Sequence, residues 1–204
     1  MKITIISGSH RLNSQSRKVA EHIRKTLLEA QLADEAEIFS LEGNPLPMWD
    51  EGIWNADPEW EERLAPLRKL LQESDGFVVI SPEWHGQVPA GLKNFFLIAG
   101  KNEVGHKPAL IVTVSSADGG AYPVAELRMS SYKNNRILYI PEQVIVRNVE
   151  SVLNEDPADN NPDADSYFRE RILWSLQVLK AYAEALKPVR ASGITQHEKF
   201  GFGM

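Results

Sequence analysis

Lys2-Ile3-Thr4-Ile5-Ile6-Ser7-Gly8-Ser9-His10-Arg11-Leu12-Asn13-Ser14-Gln15-Ser16 is the stretch on which the fold turns. Ile3, Ile5 and Ile6 make a β-branched apolar run that stops at Ser7-Gly8-Ser9, as a strand buried on both faces does where it meets a loop. From Ser16 to about Gln31 the period changes, and Val19, Ile23, Leu27 and Leu28 draw one apolar stripe down a helix with charged residues on its other side. Strand, short polar loop and helix in that order open a parallel crossover unit.

The alternation continues outward from there. Glu37 to Leu41 reads as a second strand, followed by the proline-punctuated loop Gly43-Asn44-Pro45-Leu46-Pro47-Met48-Trp49. Asp57-Pro58 caps a second helix that runs to Ser74, and Gly76 to Ser81 is a third strand. Pro89 to Ala99, Ala109 to Ser115, Tyr122 to about Tyr132 and Gln143 to Arg147 read in turn as helix, strand, helix and strand. A last helix is predicted from about Asp165 to Leu186. Five strands alternating with five helices point to an α/β protein with right-handed crossovers covering both faces of a parallel sheet.

A chain of 204 residues fits one domain, 1–204, with a core over about 1–186. The stretch 188–204 has no place in the sheet and is expected to be loose or to cross to another subunit. The formal charge of −6 gives no basic field for nucleic acid. There is no cysteine, which excludes disulfides, thiol catalysis and iron–sulfur clusters, so electron transfer needs a bound organic cofactor. The amino terminus has no leader-like n-region or cleavage site, and no apolar run approaches about 18 residues, so no membrane insertion and a cytoplasmic location are expected.

Ligands of open α/β sheets bind beyond the carboxyl ends of the strands. The loop Gly8 to Ser16 belongs there. Backbone N–H groups at a helix start, the hydroxyls of Ser9, Ser14 and Ser16, the amide of Gln15 and the guanidinium of Arg11 together suit a phosphate. The alternative is that Ser14 or Ser16 only caps the helix while Arg11 is solvated. Neither G-x-x-x-x-G-K-[ST] nor G-x-G-x-x-G is present, which argues against a P-loop NTPase and a Rossmann dinucleotide fold.

The loop Ser81-Pro82-Glu83-Trp84-His85-Gly86-Gln87-Val88-Pro89-Ala90-Gly91-Leu92-Lys93-Asn94 follows the most apolar strand. The two loops together resemble the NADPH-dependent FMN reductase family, with signatures G-S-x-R-x-x-S and P-E-Y-N-G-x-x-P-x-x-L-K-N. Gly8, Ser9, Arg11 and Ser14 match the first; Pro82, Glu83, Gly86, Pro89, Leu92, Lys93 and Asn94 match the second. The resemblance implies a flavodoxin-like three-layer sandwich with strand order 2-1-3-4-5. It also implies FMN, its phosphate held by the first loop and its isoalloxazine ring wrapped by Pro82 to Gly86. A third loop, Ser115 to Tyr122, fits the family's remaining flavin-facing segment, with Ser115 and Gly119 allowing close approach.

Two positions depart from the signature: Trp84 and His85 stand where the family carries tyrosine and asparagine. They bring a bulkier ring and a titratable one to the loop, and an altered acceptor range is expected. The implied activity is hydride transfer from NAD(P)H to flavin N5 and then, in a ping-pong cycle, to a small-molecule acceptor such as a quinone or free flavin. No side chain need act as acid or base in the hydride step. A homodimer or homotetramer is implied as well. A flavodoxin-type one-electron carrier and a flavin-bound regulatory protein without NAD(P)H turnover are the competing readings, the first disfavoured by the missing T-x-T-G-x-T loop.

Other residues carry less. His10, His22, His85, His106 and His197 lack metal-ligand spacing, so no metal site is expected. Glu83 is read either as a flavin contact or as a carboxylate capping nearby N–H groups. Trp49, Trp54 and Trp60 are read as packing or subunit contact in preference to pocket lining.

Overall fold

The computed structural model describes residues 1–201. The apolar run at the amino terminus forms β1 (Lys2–Ser7), which pairs in parallel with β2 (Glu35–Ser40) on one side and β3 (Gly76–Pro82) on the other. β4 (Pro108–Val114) and β5 (Leu138–Val146) extend the sheet in the order β2-β1-β3-β4-β5, all parallel. This is the flavodoxin-like order, and its switch point lies between β1 and β3. Every residue of β3 and β4 is buried, the consequence of helices on both faces.

The period of two along the strands divides the core. Ile3, Ile5, Val78, Ile80, Leu110 and Val112 point to one face, where α1 (Gln15–Glu29) and α6 (Pro162–Ala191) pack through Val19, Ile23, Leu27, Ile172, Leu176 and Leu179. Ile6, Phe77, Val79, Ala109 and Ile111 point to the other. There α2 (Pro58–Glu73), α3 (Ala90–Ile98) and α5 (Ala121–Met129) supply Leu67, Leu71, Leu92, Phe95 and Leu127. A one-turn helix, α4 (Lys101–Val104), sits between α3 and β4.

The structure departs from the sequence reading at several boundaries. The helix α4 is an addition, too short for apolar periodicity to reveal it. β5 begins at Leu138, five residues before the predicted start; it is an edge strand whose irregular register against Ala109 and Ile111 accommodates Pro141. α5 stops at Met129, where Ser130 turns extended and Ser131 enters the left-handed region at φ 62°. α6 starts at Pro162, capped by Asn161, and runs through Pro188 to Ala191. Beyond it Arg136 donates to the carbonyls of Thr195 and Phe200, so this part of the expected loose tail is hydrogen-bonded to its own chain. The tail's last three residues lie outside the described ones. Among the described residues no helix is long and apolar enough to cross a membrane.

Candidate functional site

Gly8 starts the site because nothing larger fits. Its N–H donates to the carbonyl of Ile80 at 2.8 Å, and a Cβ there would stand 2.5 Å from that oxygen and 2.7 Å from Leu92 Cδ2. The chain then passes through an exposed Arg11 and through Asn13 in the left-handed region at φ 50°, and enters α1. Ser14 is the N-cap: its Oγ accepts from Arg17 N at 3.2 Å. Ser9 Oγ accepts from Arg11 N at 3.3 Å, which curls the loop.

This loop concentrates unsatisfied polarity. Among the described residues, the buried side-chain polar atoms without a partner are Ser7 Oγ, His10 Nδ1, Gln15 Oε1 and His106 Nε2; the first three belong to one nine-residue run. The N–H groups of Gln15 and Ser16, in the first turn of α1, also have no acceptor among the described residues. Arg11 has no carboxylate within ion-pair reach there. Buried polar atoms ordinarily find partners, so Ser7 Oγ, Gln15 Oε1 and these two N–H groups mark a place where a polar ligand completes the bonding, whereas His10 Nδ1 is directed at Gly91 in α3.

Trp84-His85-Gly86-Gln87 forms a tight turn at the head of β3. Trp84 and Gln87 exchange backbone hydrogen bonds at 3.2 and 3.0 Å, and the two central residues lie at φ 51° and 69°. Two successive positive φ values belong to a type I′ turn, which favours Asn-Gly and tolerates His-Gly. Pro82 is buried at the end of β3, and His85 is exposed at the apex.

Glu83 joins this turn to the third loop. Its Oε2 accepts from Gly120 N at 2.7 Å, and Thr113 Oγ1 donates to Gly120 O at 2.7 Å. Gly120 lies at φ 99°, where a Cβ would meet Ile145 Cγ2 at 2.5 Å. Ser115 Oγ accepts from Ala117 N, and Arg147 Nε donates to Gly119 O at 3.0 Å. Of the two readings of Glu83, the cap on an N–H group is the contact present.

The remaining signature residues are clamps. Leu92 is buried beneath Gly8. Lys93 pairs with Glu126 at 2.6 Å. Burial opposes the charge on Glu126, but the Lys93 ammonium and the Val88 N–H hold its carboxyl below the usual range. Asn94 donates to Pro47 O at 2.7 Å and accepts from Trp49 N at 2.8 Å, pinning the loop after β2 against α3. Trp49 and Trp60 pack with Leu64 and Ile98, while Trp54 is 76% exposed. Ser9, Arg11, Ser14, Gln15 and Ser16 are thus gathered on one side of the switch point, Pro82 to Gly86 next to them, and Ser115 and Gly119 beyond Glu83. One contact escaped the sequence reading: the His10 ring lies edge-on to Trp84, centroids 4.7 Å apart.

A model of NADPH-dependent FMN reductases matches residues 1–151. The chain belongs to this family. Among curated relatives, this FMN reductase family member is 25% identical over 190 residues to an NADPH azoreductase from Bacillus sp., covering 93% of this chain and 97% of that one. It is 30% identical over 125 residues to a quinone reductase from Pseudomonas putida, covering 59% and 63%. Among solved structures, FerB, a flavoenzyme NAD(P)H:(acceptor) oxidoreductase from Paracoccus denitrificans, superposes with a TM-score of 0.70 at 20% identity, over 90% of this chain and 97% of that one. That likeness corroborates the fold.

Proposed function

We propose that this chain is an NAD(P)H-dependent, FMN-containing oxidoreductase acting on a small planar acceptor. The observation that carries this reading is the pair of orphaned atoms Ser7 Oγ and Gln15 Oε1 with the free N–H groups of Gln15 and Ser16 at the end of β1 and the start of α1, set beside the left-handed turn after β3. Arg11, Ser9, Ser14, Ser16 and the first N–H groups of α1 hold the phosphate, with the Gln15 amide beside them. Pro82 to Gly86, with Ser115 and Gly119, supply backbone to the ring. When bound, FMN supplies the two-electron chemistry, so the protein's part is to bind, orient and exclude water. Donor and acceptor use the same open face in turn, a ping-pong order. Relatives named as azoreductase and quinone reductase support acceptors of the azo and quinone classes.

The chain acts as one domain in this reading, in the cytoplasm, as a homodimer or homotetramer. Self-association draws support from exposed Tyr122, Met129 and Tyr132 at 70, 79 and 48%, on and just after α5, the first of them beside the turn at Gly86.

The test is binding of FMN and of riboflavin, followed by quenching of flavin fluorescence. Arg11→Ala is expected to weaken FMN by about 1.5–3 kcal/mol, the value of a charge-assisted hydrogen bond, and to leave riboflavin unchanged. Equal effects on both ligands would remove Arg11 from the phosphate site, and no flavin binding by the wild type would overturn the reading.

A further inference from the structure

His10 stands in the phosphate-suited loop, yet its ring is turned toward the neighbouring segments. Its Nδ1 is buried without a partner. The ring meets Trp84 with centroids 4.7 Å apart and planes at 86°, the edge-to-face geometry in which aromatic quadrupoles attract. On another side lies Gly91 in the first turn of α3, where a Cβ would come 3.2 Å from Nδ1. A glycine at 91 therefore leaves the imidazole its room. The His10 carbonyl accepts from Gly43 N at 3.3 Å, fastening the same residue to the loop after β2.

Trp84 needs such a support. Its backbone is fixed by the turn, but no hydrogen bond among the described residues holds the indole, and the aromatic ring it meets is that of His10. A half-buried indole with free side-chain torsions would sample several poses at the mouth of the site. A perpendicular ring at van der Waals distance selects one.

We propose that His10 is a positioning residue that fixes the pose of Trp84 at the ring-binding turn and thereby sets which planar acceptors the site admits. The proposal rests on the flavin reading above and extends it to acceptor selection. It also joins the phosphate loop to the ring loop through one side-chain contact, so the two halves of the site are placed together. Gly91 shares the task by its lack of a side chain.

The test is a double-mutant cycle of His10→Ala and Trp84→Leu, with His10→Phe and Gly91→Ala beside it. Three quantities are read: the near-ultraviolet circular dichroism of the apoprotein, the FMN dissociation constant, and KM and kcat for a one-ring and a two-ring quinone. His10→Ala is expected to weaken the tryptophan dichroism and to change the ratio of the two quinones' KM values about three- to tenfold, the size of one aromatic pair contact. Its kcat and FMN affinity stay within about threefold of wild type by the same measure. His10→Phe restores both quantities, Gly91→Ala moves them in the direction of His10→Ala, and in the Trp84→Leu background His10→Ala changes neither.

An equal effect of His10→Ala with and without Trp84 would overturn the proposal, as would a loss of FMN affinity at a constant quinone ratio. Should His10→Ala fail to fold, unchanged dichroism and quinone ratio in Gly91→Ala would overturn it too. A wild-type chain that binds no FMN would sink the flavin reading separately, because the dichroism cycle reads the ring contact without any cofactor.

Discussion

His85 occupies the first left-handed position of the turn at φ 51°, followed by Gly86 at 69°. That conformation explains why histidine can stand where the family carries asparagine: both short polar side chains tolerate positive φ, whereas a β-branched residue does not. The substitution is therefore conservative for the backbone while changing what is exposed at the apex. His85→Asn is expected to leave stability within about 0.5 kcal/mol, as an exposed exchange should. His85→Val is expected to cost about 1–2 kcal/mol through left-handed strain. Urea unfolding of the two variants checks this, and equal stabilities would mean that the turn relaxes. The signature residues were legible as a string, but their work was not. Glu83 and Asn94 look equally suited to touching a ligand, and only their partners, Gly120 N and the backbone of Pro47 and Trp49, make them clamps.

Among the elements, α1 carries the clearest consequence of tertiary burial. His22 lies on this helix beside Arg169, Asp165 and Lys25, and burial, reinforced by the two cations and opposed by Asp165, lowers its pKa from 6.5 to about 4. Between these values the unfolded chain takes up a proton that the folded chain refuses, so stability falls as pH drops from about 6.5 to 4. The loss attributable to His22 amounts to at most about 3 kcal/mol. His22→Gln is expected to flatten this part of the stability profile, measured by urea midpoints at pH 4.5, 5.5 and 7; parallel profiles for the two proteins would assign the acid sensitivity elsewhere. The stripe Val19, Ile23, Leu27 announced the helix, and Ser14 its start. That His22 would be half-buried beside α6 depended on a helix some 140 residues later in the chain, whose register against α1 no local pattern contains.

At the scale of the molecule, α3 and α5 lie side by side on one sheet face, joined by Lys93 and Glu126. Their outer surfaces expose Leu97, Tyr122 and Met129, and Tyr122 stands at the ring-binding turn, where a Cβ added at Gly86 would come 3.9 Å from its Cδ2. Light scattering is expected to give a dimer or tetramer at micromolar concentration, and Met129→Lys to shift it toward monomer by placing a charge in an apolar contact. A wild-type monomer with full activity would remove self-association from the reading. The sequence by itself determined the alternation of strands and helices and the parallel sheet, because buried strands and amphipathic helices have different periods, and it pointed to the loops after the strand ends as the place for a ligand. Only the tertiary structure decided how the loops serve one another: Gly8 beneath Ile80 and above Leu92, Glu83 against Gly120, and His10 against Trp84 and Gly91. Those pairings join residues far apart in the chain, and their distances come from strand register and helix packing, which set where each loop begins but leave no mark in its local composition.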